Sequence, residues 1–95
     1  MNEMTKLIEC LKTLKIPHEV TPHFLFKDSL QVWYPNKKES VMDAICHDYS
    51  YGGNEGLLEI MGLLTEEEQK HDDVVGYLTA ENVLSRIIKH RETGV

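Results

Sequence analysis

Five histidines and sixteen Asp+Glu side chains supply most of the groups in this chain that could do chemistry. His47 is followed by Asp48, and His71 by Asp72 and Asp73, while His18 and His23 flank Pro22 in a stretch that reads as extended. Imidazole and carboxylate together are ligands for zinc or manganese, and they also move protons. No histidine pair has the helical spacing that sets two imidazoles on one face. A metal centre would therefore need the fold to bring His47 and Asp48 to the acids at 71–73. That arrangement would make the chain a small metal-dependent or nucleotide-directed enzyme, the alternative to the main reading below.

Two further features carry weaker chemistry. Cys10 and Cys46 stand 36 residues apart with no CxxC or zinc-type spacing, so they read as free thiols. Cys46 precedes His47, but neighbouring strand residues point to opposite faces, which keeps that imidazole from serving as its base. The run Gly52-Gly53-Asn54-Glu55-Gly56 offers consecutive backbone N–H groups to an anion. It matches neither the Walker A nor the dinucleotide pattern, and Glu55 and Glu59 would repel phosphate. A tight turn with positive φ is the simpler reading, and no cofactor is expected.

The aromatic residues Trp33, Tyr34, Tyr49, Tyr51 and Tyr77 either fill a core or anchor an interface. Charge is unevenly distributed around them. Residues 1–47 hold six acids and six bases, whereas residues 48–95 hold ten acids and four bases, so the whole net charge of −6 lies in the second half. The densest stretch is Glu66-Glu67-Glu68-Gln69-Lys70-His71-Asp72-Asp73, either a solvated helix start or a surface that draws a basic partner. Phosphate neutralisation needs clustered Lys/Arg, which Lys37-Lys38 and Arg86, Lys89 and Arg91 supply only thinly, so direct nucleic-acid binding is not expected.

The elements that must position these groups follow from periodicity. Met4, Leu7, Ile8, Leu11 and Leu14 give an amphipathic helix over about residues 3–15, capped by Asn2 and stopped by Pro17. Extended segments follow near 18–22, 29–35 and 40–47, with Pro35-Asn36-Lys37-Lys38 as the turn between the last two. Apolar residues on both faces of 40–47 suit a central strand covered on two sides. Leu57, Leu58, Ile60, Met61 and Leu64 read as a buried helix over 55–64 capped by Asn54. Thr65 to Glu68 matches a capping box, Asp72 to Gly76 reads as a loop, and Tyr77-Leu78 as a short segment before the last helix. That helix starts from Thr79 and buries Val83, Leu84, Ile87 and Ile88, with Gly94 after its basic end.

Ninety-five residues, 41% of them hydrophobic and 27% charged, make one domain over residues 1–95 with an ordinary soluble composition. The expected fold is α+β: a three-stranded antiparallel sheet packed against the N-terminal helix and the C-terminal helices. No segment approaches the roughly 20 apolar residues that span a bilayer, and no signal-peptide apolar region opens the chain. A cytoplasmic protein without membrane contact is expected.

Ser50-Tyr51-Gly52, Gly56-Leu57-Leu58-Glu59-Ile60-Met61-Gly62 and Gly76-Tyr77-Leu78-Thr79-Ala80-Glu81-Asn82-Val83, with Asp43-Ala44-Ile45 before them, carry a resemblance. Over roughly residues 30–88 the chain resembles small proteins of unassigned activity encoded by phages, prophages and other mobile elements of Gram-positive bacteria. The resemblance implies a short accessory protein and transfers no residue roles. Together with the absence of a catalytic motif, it leads to the main expectation: a non-catalytic module that binds a host or phage protein. Its candidate interface is Trp33, Tyr34, Tyr49 and Tyr51, with Glu66, Glu67, Asp72 and Asp73 as an acidic surface. A homodimer through an uncovered strand edge is a further expectation.

Overall fold

A computed structural model describes residues 2–94. Helix α1 (Glu3–Thr13) starts from Asn2, whose side chain accepts from Thr5 N–H, and buries Met4, Leu7 and Leu11. Its end is set before Pro17 is reached. Lys15 adopts φ 56°, Lys15 N–H donates to Lys12 O at 3.2 Å, and Ile16 N–H donates to Leu11 O at 3.0 Å. This pair of bonds is a Schellman turn, closed by Ile16, which is buried beside Leu11 in the core.

Five strands follow: β1 (Glu19–Pro22), β2 (Leu30–Tyr34), β3 (Met42–Ile45), β4 (Leu58–Met61) and β5 (Val74–Leu78). They form one antiparallel sheet in the order β1-β2-β3-β4-β5. The α+β class holds, but the sheet has two more strands than expected. The segment expected as a helix over 55–64 is instead a 3-10 turn (Gly53–Glu55) followed by β4. Gly56 at φ 74° and Gly62 at φ 92° bracket that strand and interrupt any helix. A Cβ on Gly62 would lie 2.1 Å from Val41 O, so only glycine fits there. Leu58 and Ile60 are buried on one face at period two, a pattern also compatible with the helical spacing of Leu57 to Leu64. β5 replaces the loop expected at Asp72 to Gly76, because Val74 and Val75 pair with Met61 and Ile60.

The register separates the two faces of the sheet. Val32, Ala44 and Ile60 are cross-strand neighbours, and with Tyr34, Met42 and Leu58 they pack against α1 and against α3 (Ala80–Thr93) in one core. The first and last helices therefore cover the sheet as expected. The other face carries the row Glu19, Trp33, Asp43, Met61 and Val74, with Thr21, Gln31, Ile45 and Glu59 beside it. Helices cover β3 on one side only, not two. Short α2 (Glu66–Gln69) lies in the β4–β5 connection and opens with the expected capping box from Thr65 to Glu68.

Three polar contacts tie the layers together. Glu3 accepts from Ala80 N–H at 2.8 Å, so α1 helps cap α3, and that bond holds its carboxyl below the ordinary range. Tyr34 Oη lies 2.9 Å from His90 Nδ1 across the core. Arg86 in α3 makes a forked pair with Glu68 at 2.7 Å on both arms and donates to Leu63 O at 3.0 Å. Among the described residues no helix is long and apolar enough to cross a membrane.

Candidate interaction site

Because the strands alternate in direction, the β1–β2 and β3–β4 loops lie side by side at one end of the sheet. The first loop is organised by His23, a buried imidazole whose Nδ1 accepts from Leu25 N–H at 3.2 Å and Phe26 N–H at 3.3 Å. His23 N–H donates to Ser29 O and Ser29 N–H to Phe26 O, closing the loop on itself. With the histidine turned inward, Phe24 and Leu25 point out, 76% and 67% exposed.

The second loop is built the same way. His47 Nδ1 accepts from Tyr49 N–H at 3.1 Å, and Ser50 Oγ both accepts from His47 N–H and donates to His47 O. Tyr49 is left 81% exposed and Tyr51 54%. Tyr51 N–H donates to Glu59 at 2.8 Å, and its Cβ fills the space where Gly76 has no side chain.

Rings join the two loops. Phe26 stacks on His47 at 4.2 Å and on Tyr49 at 5.3 Å, His23 meets His47 edge-on at 4.9 Å, and Phe24 stacks on His23 at 4.9 Å. The result is a continuous aromatic surface at the end of the sheet. Beside it a recess of ≈ 460 Å³ is lined by Phe26 and His47 together with Lys27, Asp28 and Asp48. Exposed apolar groups in one contiguous patch mark contact sites on soluble proteins.

The geometry also fixes what the histidines can do. A neutral ring whose Nδ1 accepts N–H bonds carries its proton on Nε2, whereas a metal-bound imidazole donates from its other nitrogen. His23 and His47 are thus in the wrong tautomer to ligate through Nε2. His71 sits with Glu67 at 3.6 Å beside α2, at the opposite end of the sheet from His47 and Asp48. The fold does not bring those two sets together, and among the described residues no group of three His, Cys, Asp or Glu could hold a metal ion. Burial pushes the Cys46 thiol up, and Asp48 adds to this, which favours the unreactive protonated form. In the Gly52–Gly56 turn the N–H groups of Gly53, Glu55 and Gly56 donate to backbone carbonyls of residues 50–53, as does that of the following Leu57, which leaves no run of consecutive N–H groups for an anion.

The expected interface residues are divided between places. Tyr49 and Tyr51 belong to the aromatic end. Trp33 lies half-buried on the helix-free face, its Nε1–H donating to Thr21 Oγ1 at 2.9 Å and Lys37 Nζ 5.7 Å from its ring centroid. Tyr34 is only 4% exposed and belongs to the core, because its register places it on the helix-covered face beside Met42. Glu66, Glu67, Asp72 and Asp73 are exposed, but they cluster at the far end of the sheet and form no common surface with the aromatics.

Phe24, Leu25 and Phe26, together with the organising role of His23, are the residues that sequence reasoning missed. Three large apolar residues between Pro22 and the polar Lys27-Asp28-Ser29 were the available signal. A second recess of ≈ 700 Å³ lies between the β4–β5 connection and α3, with Leu63, Leu64, Leu78 and Lys89 in its wall. Its arginine, Arg86, is already engaged by Glu68. No protein-family model, curated protein or solved structure matches this chain.

Proposed function

We propose that this protein is a non-catalytic interaction module that binds another protein through the aromatic end of its sheet. The observation that carries the reading is the exposure of Phe24, Leu25 and Tyr49 on two loops that side-chain stacking holds in place. Large side chains already ordered in the free protein lose little entropy on binding, and that is what an anchor residue requires. Two free thiols fit a reducing cytoplasm, and the resemblance to mobile-element proteins suits a short accessory factor with a host or phage partner.

The test is comparative capture from host lysate with three immobilised forms of the full chain. Wild type and a Glu66→Gln/Glu67→Gln variant should retain the same proteins, and a Phe24→Ser/Tyr49→Ser variant should lose them. Equal retention by all three forms would remove the aromatic end as the binding surface.

A further inference from the structure

We infer that the aromatic end takes a basic segment of its partner, a stretch of chain presenting arginine or lysine. This rests on the interaction reading above and adds the partner's chemistry to it. Two independent features converge.

The first is the rings of Phe24 and Tyr49, each stacked on a neighbour on one side and otherwise highly exposed, whose negative π surface attracts a guanidinium or ammonium group. The second is charge. Asp28 and Asp48 line the recess beside Phe26 and His47, against the single cation Lys27. Neither carboxylate makes a hydrogen bond or ion pair among the described residues, so both are open to a cation, as several other surface carboxylates are; what sets these two apart is their place beside the exposed rings. The two histidines do not offset this. Both turn Nδ1 toward backbone N–H donors of their own loops and away from the two carboxylates, and burial holds His47 below the ordinary imidazole range. A surface of rings edged by two unpaired carboxylates is complementary to a cationic side chain with an apolar stem. An acidic partner would meet like charge and leave those carboxylates unmatched.

Fluorescence anisotropy on the full chain tests this with a short labelled peptide alternating arginine and leucine, and with its glutamate and serine counterparts. The arginine peptide should bind roughly tenfold or more tightly than either counterpart. Asp28→Asn/Asp48→Asn and Phe24→Ser should each remove most of that preference, and Glu66→Gln/Glu67→Gln at the far end should leave it intact. Equal binding of the arginine and glutamate peptides, with loss on Phe24→Ser, would overturn the basic-segment proposal while leaving the aromatic end as an interface. Weakening by the far-end variant equal to that of Asp28→Asn/Asp48→Asn would reduce the effect to overall charge and overturn it. Failure of all three peptides to bind would overturn it too, and sedimentation showing a dimer abolished by Phe24→Ser would assign the surface to a second copy.

Discussion

The ring of Phe26 lies on the imidazole of His47, centroids 4.2 Å apart and planes 28° from parallel. This contact joins the β1–β2 loop to the β3–β4 loop through side chains, where no backbone pairing does so. Phe26→Ala should therefore loosen both loops and destabilise the protein by about 1 kcal/mol. Amide exchange should quicken at residues 24–26 and 49–51 and stay unchanged in α1.

The same stack is sensitive to acid. Burial holds His47 below the ordinary imidazole range, His23 adds to this, and Glu59 and Asp48 oppose it. A histidine whose folded pKa is lowered takes its proton more readily in the opened state, so stability is full above the ordinary imidazole pKa of about 6.5 and falls below it. The opening equilibrium at residues 47–51, taken as the exchange rate divided by the intrinsic rate at each pH, should rise as the pH is lowered from neutral toward about 5, and His47→Asn should flatten that response.

Glu68 and Arg86 give a separate pH signature. The forked pair brings the Glu68 carboxyl down to about 2 from its ordinary 4.5. The depressed value means that its contribution is present above about 4.5 and is lost as the pH falls toward 2. Glu68→Gln should cost about 1–2 kcal/mol at neutral pH, because the pair is partly exposed. Urea midpoints taken against pH should show a shallower acid decline in the variant.

Two backbone positions should respond in opposite directions. Lys15 holds a left-handed conformation at the Schellman turn, so Lys15→Gly should stabilise by about 1 kcal/mol. Gly62→Ala should destabilise by roughly 3 kcal/mol or more, since its Cβ would meet Val41 O in a positive-φ position. Thermal unfolding of both variants checks the pair.

Local signals with one interpretation were legible in the sequence: the stripe of α1, the caps at Asn2, Thr65 and Thr79, and the alternation of β2. β4 was not legible, because Leu58 and Ile60 satisfy the strand period while Leu57, Leu58, Met61 and Leu64 satisfy the helical one, and what decides between them is the positive φ of Gly56 and Gly62 and the close approach of Gly62 to Val41. β5 was hidden by Asp72-Asp73 and by Gly76, which is needed where Tyr51 crosses the strand. In the candidate site, Tyr49 and Tyr51 were identified as residues, but their neighbours were not. Phe24 and Phe26 lie more than twenty residues upstream in another loop, and only the antiparallel return of the strands brings the two loops together.

The most direct measurement of the central claim is hydrogen exchange across the whole chain, free and bound to the protein it retains from host lysate. Protection should appear at residues 23–29 and 47–51, and Phe24→Ser should abolish binding while changing stability by no more than about 0.5 kcal/mol. Protection confined to residues 66–73, with both aromatic loops exchanging as in the free protein, would contradict the account.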